Sequence, residues 1–330
     1  MDNAAPIVSS ALSTLQTGPI ACALARDVVQ ASGLDTVKFL QGQLSQDVDG
    51  LTLGASTLTF LLAPQGKVEA WMRVTRTAQD TMLLDVDAGY GEAVIARLQR
   101  FKLRTRCELE LLEPWSAIAL RGTGTKSLAQ DEVLAATNGT IATDAHWPVV
   151  AGFDVLGSDL TLDGLLALGV DLVSKETFET LRICCGVPAM GTELDERTIP
   201  AEAGAIIVDR SVSFTKGCYT GQELVARVDS RGNNVPQRLV GLLTSTREHL
   251  AVGMVLRLAG QTAGDIGRVT SSAASDELAS TVALGYLRRA VEVPAEVIAV
   301  DVSEGGDPST VSCTAFALPL LANPATAQQN

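Results

Sequence analysis

Histidine is almost missing from this chain: His146 and His249 are the two in 330 residues. The six cysteines, Cys22, Cys107, Cys184, Cys185, Cys218 and Cys313, contain no C-x-x-C spacing. A zinc site or a protein-held iron–sulfur cluster is therefore not expected, because either needs several thiolates or imidazoles brought together. The same cysteine usage points to reduced thiols and a cytoplasmic protein. Basic residues are outnumbered, 25 against 38 acidic, for a net charge of −13. That excess argues against a general nucleic-acid surface and against direct RNA binding. No apolar run approaches the ~20 residues of a membrane span. The opening Met1-Asp2-Asn3-Ala4-Ala5-Pro6 lacks the basic start of a secretory signal.

What is present describes a globular protein: 46% hydrophobic and 19% charged residues. The length is enough for about two domains, or three small ones, with a full core. The chain is organised around Lys216-Gly217-Cys218-Tyr219-Thr220-Gly221-Gln222-Glu223. Before it, Ser211-Val212-Ser213-Phe214-Thr215 reads as a short strand. After it, Leu224, Val225 and Val228 repeat at helical spacing. Thr220 and Glu223 stand in capping-box order, which predicts a helix start there. Gly217 and Gly221 allow a sharp turn and the close approach of a ligand. Cys218 is then expected just ahead of a helix N-terminus, with Lys216 as a nearby cation, and both favour a thiolate. The plainer alternative is a small buried cysteine filling a turn, the commoner fate of cysteine.

In chain order, residues 1–20 carry no periodic pattern and read as a loose arm. From Leu34 a helix is expected with Val37, Leu40, Leu44 and Val48 on one face, Asp35 as its cap and Gly50 and Gly54 as breakers. Strands over 56–63 and 67–76 follow, joined by Pro64-Gln65-Gly66, a hairpin signal. In the second strand Val68, Ala70, Met72 and Val74 alternate with Glu69, Trp71, Arg73 and Thr75. One face is expected in the core, and the other toward a ligand or, more plainly, solvent. A strand over 81–86, a helix over 92–101 with Val94, Leu98 and Phe101 inward, and an alternating strand over 103–111 complete an α+β unit. Arg104, Arg106, Glu108 and Glu110 are expected as a solvated charge ladder on that last strand.

Residues 115–186 read as a second α/β unit: strands at 116–120 and near 152–156, and a helix around 126–137. A helix over 175–185 follows, with Ser174 as cap and Phe178, Leu181 and Cys185 inward. His146 beside Trp147 reads as a bystander, and Cys184-Cys185 as core. Residues 186–204 form a long carboxylate-rich stretch with two prolines, the kind of loop that tends to be functional. A carboxylate here could accept paired N–H donors from a pterin or purine. After about 186 the chain is expected to return to the first unit, so that 21–235 is one ligand-binding region of two α+β units divided near 115. From 236 to 321 six short apolar runs describe a small antiparallel barrel. Residues 322–330 are polar and expected to be disordered.

At this point the residues resemble a known family. Val212-Ser213-Phe214-Thr215-Lys216-Gly217-Cys218-Tyr219-Thr220-Gly221-Gln222-Glu223 is similar to the signature of the YgfZ folate-binding proteins, relatives of the glycine-cleavage T-protein. Phe39-Leu40-Gln41-Gly42-Gln43-Leu44-Ser45-Gln46-Asp47-Val48 resembles the family's first helix motif, and Pro64-Gln65-Gly66-Lys67-Val68 its hairpin. Asp195-Glu196-Arg197-Thr198-Ile199-Pro200 resembles its carboxylate loop, and Gly267-Arg268-Val269-Thr270-Ser271 the start of its barrel. The resemblance runs over nearly the whole chain.

It implies an α+β ring of three domains with tetrahydrofolate in the central hole. The family role is folate-dependent support of iron–sulfur cluster assembly or repair, felt by cluster-dependent tRNA-modifying enzymes. Its partners would be folate and the assembly machinery or client enzymes, with no membrane or nucleic acid, and the protein would be a monomer. Cys218 corresponds to the family's active thiol, with Lys216 beside it, and Glu202 to the carboxylate that holds the pterin. Tyr219, Gln222, Glu223 and Arg227 are further cofactor-binding candidates. Lys67, Arg73, Arg227, Arg231 and Arg238 could meet the folate glutamate tail.

One departure bears on activity. The aminomethyltransferase branch carries an Asp-Asp pair just after the hairpin, where this chain has Ala70 and Trp71, with Glu69 on the opposite face. Losing a proton-transfer group typically costs ~10²–10⁴-fold in rate, so glycine-cleavage aminomethyl transfer is not expected. One-carbon transfer and a non-catalytic, folate-responsive adaptor remain as alternatives.

Overall fold

The computed structural model describes residues 18–260, 264–302 and 309–321. The first seventeen residues of the expected arm and the expected tail at 322–330 lie outside the described residues. The chain opens on β1 (Ile20–Leu24) and β2 (Arg26–Ser32) and passes through α1 (Thr36–Gln43). Next come β3 (Ser56–Leu62), β4 (Val68–Ala78), β5 (Thr81–Asp87), α2 (Gly91–Gln99) and β6 (Glu108–Leu112). A second run holds β7 (Ser116–Arg121), α3 (Gln130–Thr137), β8 (Ile141–Asp144), β9 (Gly152–Gly157), β10 (Asp171–Leu172) and α4 (Lys175–Cys185). A long irregular stretch with a 3-10 turn at Pro200–Ala203 leads to α5 (Ala205–Ser211) and α6 (Gln222–Ser230).

The final six strands are β11 (Gln237–Thr244), β12 (Val255–Leu258), β13 (Gly267–Ser275), β14 (Ser280–Arg288), β15 (Ala295–Val300) and β16 (Thr310–Phe316). They close into an antiparallel barrel in the order β11-β14-β13-β12-β15-β16. Closure leaves no unpaired strand edge, and Val240, Leu242, Leu256, Val269, Ala283 and Ala299 fill the interior. The first sheet runs β3-β4-β5-β2-β6 and the second β10-β1-β7-β9-β8. The chain is thus α+β, with a closed C-terminal barrel as its third unit. β1 belongs to the second sheet, pairing antiparallel with β7, although β2 directly after it joins the first. Ser174 caps α4 by accepting the Thr177 amide at 3.2 Å, and Gly186 closes it at φ +69°.

Several local expectations give way to tertiary structure. Residues 211–215 are not a strand: α5 runs through Ser211, and 212–221 is irregular. The apolar alternation there has no ladder to join, because Ser213 donates its amide to the Ser45 carbonyl at 3.0 Å. α1 ends at Gln43, short of Val48, yet Leu44 and Val48 stay fully buried. Asp35 makes no side-chain cap; its carboxylate accepts the backbone and guanidinium N–H groups of Arg106 instead. Only the end of 103–111 pairs, as β6, since Arg104 takes φ +53° and Leu103 is exposed. Phe101 is also exposed, under the Arg97 guanidinium at 4.1 Å.

The largest correction concerns β4. Beyond half-buried Glu69, its second face meets neither solvent nor an open site, because Trp71, Arg73 and Thr75 are buried like Ala70, Met72 and Val74. Arg73 holds Asp85 on β5 through two bonds of 2.9 Å and reaches Asp154 on β9 at 2.7 Å. Arg121 on β7 takes the other Asp154 oxygen at 2.7 Å, and Arg26 on β2 adds a contact to Asp85 at 2.9 Å. Buried charges are tolerated only when paired and hydrogen-bonded, and this network does both across the joint between the two sheets. A second joint ties α4 to the barrel: Arg182 meets Glu193 at 3.2 Å and Ser271 at 2.7 Å, and Ser271 donates to Glu193 at 2.6 Å.

Candidate functional site

The signature stretch packs over the end of α1. The last carbonyls of a helix have no intrahelical partner, and its C-terminus favours a cation. Lys216 fills that need: its Nζ donates to the carbonyls of Gln41 at 2.7 Å, Leu44 at 2.9 Å and Gln46 at 2.8 Å. An ammonium has three donors, and all three are used. Burial pushes the ammonium down to about 8, with Asp47 pulling it the other way. The Tyr219 ring, itself buried, lies 5.4 Å from the same nitrogen. Half-buried Lys216 and buried Tyr219 thus form two feet, with Gly217 and Cys218 exposed between them.

The far end of the stretch is set by glycine. Gly221, at φ +83°, stands at the N-cap of α6, and no side chain caps that helix. The expected capping box is therefore not formed. Thr220 instead donates its amide to the Gly42 carbonyl at 3.2 Å, and its hydroxyl lies 3.4 Å from the Gln43 amide oxygen. Glu223 is exposed. The hairpin tip docks here too, for a Cβ on Gly66 would meet Leu224 Cβ at 2.5 Å. Helix, hairpin and signature, far apart in sequence, are one packed assembly.

Cys218 is exposed while the other five cysteines are buried. It precedes the first residue of α6 by four positions, outside the helix's first turn. Lys216 is committed to carbonyl oxygens, so it is not a free cation beside the thiol. Gln222 is half-buried, and Arg227 and Arg231 are exposed on and after α6. Glu202 sits elsewhere, buried in the 3-10 turn, accepting the Ile199 amide at 3.0 Å. Burial raises its carboxyl above the usual range, against the pull of that amide and of Lys67.

Where the three units meet, a shallow cleft opens to solvent. Pro148 of the second unit, Cys185 at the end of α4 with Gly186 after it, Ile206 of α5, Arg238 of β11 and Leu318 after the barrel line it. Its lining is largely apolar, as that of ligand sites usually is. Arg238 donates to the Val291 carbonyl at 2.6 Å, while its Nε is buried with no partner. For the carboxylate end of a folate the cleft offers the Arg238 guanidinium. The pterin end is not matched, because no Asp or Glu lines the cleft and Glu202 faces Ile199. Cys218 does not line it either.

Of the other tail candidates, Arg73 is spent in the buried network and Lys67 donates to the Arg197 carbonyl. Glu69 is paired with Arg97. His146 shares a 2.8 Å hydrogen bond with Ser56, and burial lowers its imidazole below the usual value. Sequence reasoning missed the Arg26–Arg73–Arg121 network. The available signal was charge inside apolar strands, as in Leu84-Asp85-Val86 and Phe153-Asp154-Val155. Among the described residues, no three His, Cys, Asp or Glu side chains gather as a metal site, and no helix is long and apolar enough to cross a membrane.

The three-unit architecture defines the class: it is the fold of the glycine-cleavage T-protein. The glycine cleavage system aminomethyltransferase T of Bartonella henselae superposes with a TM-score of 0.69 at 20% identity, covering 93% of this chain and 87% of that one. No family model matches the chain. Over 221 residues it is 26% identical to the tRNA-modifying protein YgfZ of Colwellia psychrerythraea, covering 62% of this chain and 66% of that one. Over 222 residues it is 28% identical to the mitochondrial iron-sulfur cluster assembly factor IBA57 homolog of Neurospora crassa, covering 63% and 49%. The matched segments thus span about half to two thirds of those two relatives. The chain thus shares the fold of the aminomethyltransferase T structure and is similar in sequence to proteins named YgfZ and IBA57.

Proposed function

We propose that this protein is a tetrahydrofolate-dependent factor for iron–sulfur cluster assembly or repair, serving cluster-dependent enzymes such as those that modify tRNA, with Cys218 as its acting thiol. The observation that carries the reading is the exposure of Cys218 alone among six cysteines, at the crown of the signature arch. The names of the relatives supply the cellular context, and the fold shared with an aminomethyltransferase supports folate as the ligand. Bound folate would supply a one-carbon carrier. Arg238 in the cleft is the residue that would pair with a folate carboxylate. Because Cys218 lies outside the cleft, the reading assigns it to the surface, where a partner protein meets it. Cysteine usage favours a reducing compartment such as the cytoplasm.

The aminomethyltransferase alternative needs a carboxylate beside the folate ring, and the cleft has none. The reading is tested by Cys218→Ala. This variant is expected to bind tetrahydrofolate by calorimetry as the parent does, yet to fail to restore a cluster enzyme in cells lacking the protein. Full restoration by the variant overturns it.

A further inference from the structure

The Cys218 thiol is placed by its neighbours rather than by bonds of its own. On one side, Lys216 is anchored by three carbonyls of Gln41, Leu44 and Gln46. On the other, Tyr219 is buried, and Thr220 is tied to Gly42. The remaining residue of the arch, Gly217, has nothing within 4 Å of where a Cβ would stand. We propose that Lys216 is a positioning residue for Cys218: its ammonium, seated in a three-carbonyl socket at the end of α1, fixes where the thiol stands on the surface. The inference rests on Cys218 being the acting group in the reading above.

The socket is specific for an ammonium. Its three acceptors converge on one nitrogen, which suits a compact group with three donors. A guanidinium is planar, carries five donors in a fixed fork and cannot point three of them at one centre. Methionine fills similar volume but leaves three carbonyls without a donor, and an unpaired buried polar group is costly. The charged and titratable groups around the ammonium are Asp47, in the turn after α1, and Tyr219. Neither replaces a missing donor to Gln41, Leu44 and Gln46.

The test attaches a trifluoromethyl reporter to Cys218, the accessible thiol, and follows its fluorine NMR signal. In the parent a single sharp resonance is expected at pH 7. Lys216→Met and Lys216→Arg are both expected to give several resonances, or one broadened about twofold or more by exchange on the μs–ms scale. Gly217→Ala, which leaves the socket alone, is expected to keep the single resonance. An unchanged resonance in Lys216→Met overturns the proposal, as does full recovery in Lys216→Arg, which would mean that any cation suffices. Should Lys216→Met not fold, the parent taken from pH 7 to pH 9.5 decides. Loss of the ammonium proton should broaden the signal reversibly, and an unchanged signal refutes the socket. A shifted signal together with full rescue by Cys218→Ala removes the functional reading and leaves the geometry. An unchanged signal with no rescue does the reverse.

Discussion

Gly66 and Gly221 pack backbone against backbone. A Cβ on Gly66 would come within 3.1 Å of the Gly221 carbonyl oxygen, and one on Gly221 within 3.3 Å of the Gly66 Cα. Both residues also hold positive φ, +77° and +83°. Through this contact the β3–β4 hairpin sets the start of α6.

Gly221→Ala should therefore be among the more damaging small substitutions. A side chain there meets the Ala63 carbonyl at 2.7 Å and takes a left-handed backbone, a strain of about 1–3 kcal/mol. Gly217→Ala, in open space and without positive φ, should stay within about 0.5 kcal/mol of the parent. Urea unfolding of the two variants checks the contrast, which equal losses would contradict.

The buried joint between the sheets should be costly to open. Arg73→Met leaves Asp85 and Asp154 short of a partner in a site where both are buried. Removing one member of a buried pair typically costs about 3–5 kcal/mol. Denaturant unfolding of this variant should show that loss, whereas Arg227→Met, on the exposed face of α6, should show almost none.

Acid should weaken the same joint. Burial alone would raise the Asp154 carboxyl, but Arg121 and Arg73 bring it well below the ordinary carboxylate range. For Glu193, burial raises and Arg182 with Ser271 more than offset it. A carboxyl lowered in the folded state stabilises above its ordinary pKa, and that contribution fades as pH falls toward the folded value. Glu202 has the opposite sign: raised by burial, it makes the fold less stable as pH rises from the ordinary carboxylate range through its own value. Melting temperatures between pH 3 and pH 7 should fall less steeply with acid for Asp154→Asn than for the parent. At pH 7, Glu202→Gln should melt no lower than the parent.

Thiol titration offers a direct check on the arch. In the folded protein one cysteine of six should react rapidly with an aromatic disulfide reagent, and Cys218→Ala should abolish that fast phase. Burial raises the Cys184 and Cys313 thiols to about 12 and pushes Cys185 up as well. Those thiols should therefore react only on unfolding. Two fast thiols in the native protein would contradict this burial pattern.

Much of the architecture could be read from local pattern. Turn residues at Pro64-Gln65-Gly66, the Ser174 cap and six short apolar runs after Pro236 locate strands, helices and barrel, because periodicity and turn chemistry act over a few residues. Local pattern failed where a distant group took over the backbone. Val212 and Phe214 alternate like a strand, but Ser45 claims the Ser213 amide; Thr220 and Glu223 spell a capping box, but Gly42 and Gln43 engage Thr220. The second face of β4 looked like an open surface, because one strand cannot show that Asp154 will be waiting across the joint. The sequence by itself determined which elements exist and singled out Cys218 by its motif. Tertiary structure alone decided that Lys216 serves three carbonyls at and just past the end of α1, that Cys218 stands outside the cleft and that Arg73 is buried, since each depends on residues distant in sequence brought together.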